Sequence, residues 1–169
     1  MIRAKRISHL VLNVKDVARS RDFYVNVLGL KVASEKPEAG VCFLSLGEQH
    51  HDLGLFQRAA ADAAPPDETQ PRMIHFAWQL KDFAEVQAKY RELTAQGLAV
   101  DTVLHNVTQS LYVTDPDGHV CELYCDRWED GFEAMSTQGP MTKQLDIETG
   151  EGIGEDVFAA KAREHAGAG

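Results

Sequence analysis

Two stretches of this chain repeat one pattern of apolar and polar positions. HLVLNVKD (His9 to Asp16) lies over HFAWQLKD (His75 to Asp82) at an offset of 66, and each begins with His and ends in Lys-Asp. Beyond them, Val17, Ser20, Tyr24 and Val27 fall over Phe83, Val86, Tyr90 and Leu93 at the same offset. That spacing marks one buried face of an amphipathic helix. Asp16 and Asp82 suit helix N-caps, and Glu85, placed after Asp82, suits a capping box. Gly29 and Gly97 suit the turns that end the two helices. With two residues inserted, Gly29-Leu30-Lys31-Val32 then matches Gly97-Leu98-Ala99-Val100. The chain reads as a duplicated unit.

Each unit predicts a strand, a helix and three further strands. In the first these span about 6–13, 16–28, 30–35, 41–47 and 51–57; in the second, about 73–80, 82–96, 99–104, 109–114 and 119–125. Residues 57–71 connect the two, with Pro65-Pro66 stopping any helix. Asp115-Pro116-Asp117-Gly118 reads as a turn between the last two strands. The fold class is therefore α+β: two βαβββ modules, about 5–57 and 72–125, whose curved mixed β-sheet forms a cup. The expected division is residues 1–127 as this domain and 128–169 as an acidic C-terminal extension.

Composition narrows the classes. At 169 residues, 44% hydrophobic and 25% charged, the chain is that of an ordinary folded domain. Its formal charge of −9 argues against nucleic acid as a partner. Residues 126–169 hold 10 acidic and 4 basic side chains, −6 of that total, so the charge belongs mainly to the extension. Three cysteines, Cys42, Cys121 and Cys125, show no zinc-like spacing and read as reduced thiols. No stretch approaches the roughly 20 apolar residues of a bilayer span, and the basic N-terminus lacks a cleavage site. A cytoplasmic protein without membrane contact is expected. A homo-oligomer, a dimer or higher, is also expected, with no sequence feature that fixes its symmetry.

Strand alternation then groups the candidate chemistry. Ile7, His9, Val11 and Asn13 share one face of the first strand; Met73, His75, Ala77 and Gln79 share one face of its counterpart. Val120, Glu122 and Tyr124 lie together, as do Ser110, Tyr112 and Thr114. His9 and His75 are equivalent under the repeat, and Glu122 is a mid-strand carboxylate between Cys121 and Leu123, costly unless it has a partner. Two imidazoles and one carboxylate are the ligand set of the facial triad that holds non-haem Fe(II) with open positions.

The repeat, ISHLVLNVKDVARSRDFYVNVLGLKV and SLYVTDPDGHVCELY together resemble the vicinal oxygen chelate superfamily of glyoxalases, bleomycin-type resistance proteins and extradiol dioxygenases, over roughly residues 5–127. The resemblance implies a cup built around a metal site, with metal positions on His9, near Gly54, on His75 and on Glu122. A glyoxalase-like member carries a fourth ligand where this chain has Gly54, so three ligands remain. HHDLGLF and HNVTQSLYVTDPDGHVCELYCD most resemble the one-domain catechol 2,3-dioxygenase-type members. On that resemblance His51 is an acid–base residue, Tyr112, ten residues before Glu122, a hydrogen-bond donor, and His105 a further catalytic residue of the pocket. The implied activity is Fe(II)-dependent extradiol (meta) cleavage of a catechol-like aromatic diol by O2, with Mn(II) as an alternative metal. A metal-dependent lyase or isomerase of the same fold, and a metal-free binding protein of the resistance type, are the alternatives.

Other residues read more plainly. Strict alternation turns His51 away from Gly54, so it must sit at a strand start or a bulge to reach a site. His50 and His119 are expected in solvent-facing turns. Trp78 alternates away from His75, as a packing residue does. In the extension, Trp128, Phe132, Met135, Met141, Leu145, Ile147 and Phe158 stand among the acids, which points to docking over the pocket mouth or onto a neighbouring subunit.

Overall fold

The computed structural model describes residues 2–65, 67 and 69–167; Met1, Pro66, Glu68, Ala168 and Gly169 lie outside it, so the second proline of the Pro65-Pro66 stop is not described. The chain divides into two compact units, Met1–Arg72 with Asp115–His119, and Met73–Thr114 with Val120–Gly169.

In the first unit, β1 (Leu10–Val14), α1 (Val17–Leu28), β2 (Lys31–Lys36), β3 (Val41–Ser45) and β4 (Leu53–Gln57) follow the predicted order. They form a mixed sheet ordered β1-β4-β3-β2, in which β1 and β4 run parallel and the other pairs antiparallel. The helix starts because the Asp16 carboxylate accepts the Arg19 N–H at 2.9 Å, and it ends on Gly29 at φ 70°, where a side chain would be strained. Its buried face is Val17, Ser20, Tyr24 and Val27, the four positions picked out by spacing. Leu44, Leu53, Leu55 and Tyr24 are fully buried in this core.

The second unit repeats the scheme. β5 (Phe76–Gln79), α2 (Phe83–Ala95), β6 (Asp101–His105), β7 (Thr108–Thr114) and β8 (Val120–Asp126) match β1 to β4 and α1 element by element. Here too the first and last strands, β5 and β8, are the parallel pair. Asp82 caps α2 by accepting the Glu85 N–H at 3.1 Å. Val86, Leu93, Leu111 and Cys121 are fully buried.

The extension adds α3 (Gly131–Gln138), β9 (Thr142–Leu145), β10 (Gly152–Ile153) and α4 (Val157–Gly167). β9 pairs antiparallel with β6, so the sheet of this unit has six strands, ordered β10-β9-β6-β7-β8-β5. Thr102 donates its hydroxyl to the Leu145 carbonyl at 2.7 Å, and Asn106 donates its amide to the Gly139 carbonyl at 2.7 Å. Leu145 and Ala134 are buried.

Two readings need correction. The first strand of each unit is shorter than predicted, because the parallel ladder begins only at Leu10↔Leu53 and at Phe76↔Cys121. His9 and His75 therefore stand just ahead of their strands. His119 is not a solvent-facing turn residue: its Nδ1 lies 3.0 Å from a buried Asp115 Oδ2, which also accepts the Tyr24 hydroxyl at 2.8 Å. The Asp115–His119 tip is drawn into the first unit by these bonds and by the Lys15 N–H, which donates to Asp117 at 2.9 Å. Its acids, Asp115 and Asp117, bond to side chains of α1 and to the residue ahead of its N-cap rather than face water.

Candidate functional site

Four of the singled-out residues meet in the second unit. The register Ala77↔Glu122↔Tyr112 puts three strands side by side, so that alternation brings Ala77, Glu122 and Tyr112 onto one face. His75, two residues before Ala77, directs Nε2 to within 3.2 Å of Glu122 Oε2. The His75 and Tyr112 rings meet edge to face at 5.3 Å. His105, the last residue of β6, places Nε2 3.1 Å from the Tyr112 hydroxyl. Its other nitrogen lies 3.0 Å from Thr142 Oγ1 on β9, so the extension orients this ring.

These side chains line a cavity of about 450 Å³. Glu122 is only 7% exposed. Burial, and after it the charge and hydrogen bond of Glu122, hold the Tyr112 phenol well above the usual tyrosine range. Tyr112 is thus kept as a hydrogen-bond donor at neutral pH. Tyr124, two residues beyond Glu122 on the same face, is raised by burial and by the charges of Asp126 and Glu122. None of the described lining residues is Lys or Arg. Arg127, the nearest basic residue along the strand, donates instead to the carbonyls of His105 and Asn106 at 3.3 and 3.2 Å.

The first unit holds His9 and His51 together, with ring centroids 4.4 Å apart. His51 precedes β4, which frees it from strand alternation. Its loop is fixed by Asp52, whose N–H donates to the Leu44 carbonyl at 2.8 Å and whose carboxylate accepts the Leu46 N–H at 2.7 Å. Burial, then the neighbouring His50 and His9, hold His51 below the usual histidine value. Gly54 pairs with Val11 on one side and Phe43 on the other. A Cβ there would sit 3.4 Å from Val11 and 3.5 Å from the rings of Phe43 and Phe56. The position equivalent to Glu122 is thus apolar.

An imidazole and a carboxylate facing each other over a cavity are donors of the kind that Fe(II) or Mn(II) takes. Among the described residues no group of three or more His, Cys, Asp or Glu side chains converges as a metal cluster, and the second unit contributes the His75–Glu122 pair. Trp78 lies outside the cavity lining, as its alternation requires. Asn106, Thr108, Asp126 and Thr142 line the cavity and were not singled out by sequence. Asp126 shares the alternation of Glu122 and Tyr124, so that signal was present; Thr142 offers none, since only its pairing with His105 brings it there.

Comparison with known proteins places this geometry. The model of the Glyoxalase/Bleomycin resistance protein/Dioxygenase superfamily matches residues 6–123. The biphenyl-2,3-diol 1,2-dioxygenase 3 of Rhodococcus globerulus is 32% identical over 124 residues, 73% of this chain and 64% of that protein. The catechol-2,3-dioxygenase of Bacillus subtilis (strain 168) is 29% identical over 121 residues, 72% of this chain and 41% of that protein. The chain thus spans less than two thirds of the length of either. Among solved structures, a lactoylglutathione lyase from Agrobacterium tumefaciens is similar at a TM-score of 0.57 and 25% identity, covering 72% of this chain and 94% of that one.

Proposed function

For this chain, which belongs to the glyoxalase/bleomycin resistance protein/dioxygenase superfamily, we propose the activity of an extradiol ring-cleaving dioxygenase that opens a catechol-like aromatic diol with O2. The observation that carries this reading is the constellation of His75, Glu122, Tyr112 and His105 on one cavity wall. The likeness to two dioxygenases of aromatic diols supports it.

His75 and Glu122 would hold Fe(II), or Mn(II), together with His9, the residue equivalent to His75 in the first module. When bound, that metal supplies Lewis acidity toward the diol oxygens and an open position for O2. The chain's own residues do the rest. Tyr112, kept protonated by burial and by Glu122, donates a hydrogen bond to a substrate oxygen and steadies the charge that develops there. His105 holds Tyr112 in place through its Nε2 contact. His51, held below the usual histidine value and hence neutral near pH 7, takes a proton from the diol and returns it to the opening ring.

The runner-up is a metal-dependent lyase or isomerase, favoured by the likeness to the lactoylglutathione lyase. The apolar surroundings of Gly54 count against it, because they leave no fourth ligand opposite Val11 and Phe43. A metal-free binding protein of the resistance type has no use for a buried carboxylate against an imidazole. The test is oxygen uptake by the Fe(II)-loaded chain with catechol or biphenyl-2,3-diol. One O2 consumed per diol, with the yellow absorbance of a ring-opened product, is the expected result. Turnover of a thiol hemiacetal without O2 uptake would establish the lyase instead.

A further inference from the structure

The far wall of the cavity comes from the extension, and its chemistry differs from that of the site. Met135, Pro140, Met141 and Phe158 line it opposite to no charged partner of their own. Met135 is 46% and Phe158 47% exposed, so both offer apolar surface to water at the cavity. The segment that presents them is held firmly. β9 pairs along β6, the Asp156 carboxylate accepts the N–H groups of Thr142 and Phe158 at 3.0 and 3.1 Å, and Trp128 donates to the Asn106 carbonyl at 2.8 Å. The cavity is therefore lined by polar groups such as His75, Glu122 and Tyr112 from the duplicated body and by apolar side chains such as Met141 and Phe158 from the extension. Among the described lining residues the formal charges, at Glu122 and Asp126, are negative.

From this arrangement we propose that residues 135–158 form a selectivity wall, which seats an uncharged apolar substituent, aryl or alkyl, on the substrate and excludes one that bears a carboxylate. The diol end of this assignment rests on the ring-cleavage reading; the wall itself does not. Apolar surface left half-exposed on Met135 and Phe158 is removed from water when such a substituent enters, and that is the source of its affinity. The thioethers of Met135 and Met141 adapt to substituents of different outline. A carboxylate in the cavity shares it with Glu122 and Asp126 and finds, among the described lining residues, no Lys or Arg to offset its desolvation.

The test is calorimetric binding under nitrogen, where no turnover occurs, to the full chain with Fe(II) and again without added metal. The probes are catechol, biphenyl-2,3-diol and 3,4-dihydroxybenzoate. In the wild type, biphenyl-2,3-diol should bind at least about tenfold more tightly than catechol, and 3,4-dihydroxybenzoate more weakly than catechol. The double variant Met141→Ala/Phe158→Ala should lose most of the preference for the biaryl diol. Ile153→Ala, on the same segment but outside the lining, should keep it. Should the alanine pair unfold the segment, Phe158→Leu alone should reduce the preference about threefold or more while leaving the circular dichroism unchanged. A preference that survives both sets of variants, tight binding of 3,4-dihydroxybenzoate, or no binding of any probe overturns the wall. Wall-dependent binding without O2 uptake would remove the ring-cleavage reading and leave the wall standing.

Discussion

At Glu122 the demands of chemistry and of stability pull in opposite directions. The residue is 7% exposed, faces His75 Nε2 at 3.2 Å and stands in a cavity whose described lining holds no Lys or Arg. A buried carboxylate without a permanent cation beside it keeps part of its desolvation cost even when hydrogen-bonded. Glu122→Gln preserves the volume and leaves an acceptor for the Tyr112 hydroxyl, while removing the charge. Without metal the variant should therefore be more stable than the wild type, by about 1–2 kcal/mol. The His75 side chain is 36% exposed, so water screens the pair and the lower end of that range applies. For a chain of this size, roughly 2–4 °C per kcal/mol then gives a rise in Tm of about 2–4 °C.

Metal should reverse the order. At a hundredfold excess over its Kd, a ligand that binds only the folded state adds about 2.7 kcal/mol. The wild type should gain this with Fe(II) or Mn(II), and the variant, with a ligand lost, should gain nothing at the same concentration. Thermal melts under nitrogen, with and without metal, read both effects in one series. A Glu122→Gln protein that melts below the metal-free wild type refutes the desolvation argument. One that keeps the metal-dependent shift refutes the role of Glu122 as a ligand.

The remaining expectations concern the first unit. The Asp115–His119 pair sets a pH window: His119 is raised above 6.5, chiefly by its hydrogen bond to Asp115, and Asp115 is lowered below 3.8 because its bonds to His119 and Tyr24 outweigh burial. The contribution of His119 is complete below pH 6.5 and fades as pH rises through its raised folded value, while that of Asp115 fades as pH falls through its own. His119→Asn should thus cost about 1–2 kcal/mol at pH 6 and less at pH 9, read from urea midpoints; a cost independent of pH would contradict the pairing. Gly54→Ala should change stability by less than about 1 kcal/mol, since its Cβ would make ordinary contacts at 3.4–3.5 Å. His51→Phe should leave iron content unchanged and lower kcat by about 10²–10⁴-fold, and an equal loss of iron would show that His51 holds the metal site together rather than moving protons.

Periodicity made the duplicated body legible because both of its repeats, 3.6 in the helices and 2 in the strands, are enforced by burial on one side. Val17, Ser20, Tyr24 and Val27 line the buried face of α1 as their spacing required. The same alternation put Glu122 and Tyr124 on one face. What lay beyond reach was held by contacts distant in sequence. Thr142 meets His105 across a strand pairing of only three residue pairs, and four-residue β9 carries no period of its own. His119 was expected in a solvent-facing turn, and contacts remote in sequence, Tyr24 to Asp115 across 91 residues and Lys15 to Asp117, bring that turn inward.

The duplication also explains where chemistry settled. The pairs Phe43↔Gly54 and Tyr112↔Glu122 occupy the same place in the two modules. Tyr112 carries a hydroxyl that needs an acceptor, and Glu122 is one; Phe43 needs none, and faces a glycine. Each pair satisfies itself, and neither half tolerates the other's partner. A phenylalanine opposite Glu122 would remove one of the carboxylate's donors and leave it to His75. The equivalent positions thus carry an apolar pair in one module and a polar pair in the other. His9 and His75 stand just before the first strand of each module, and His75 joins the polar pair through Glu122.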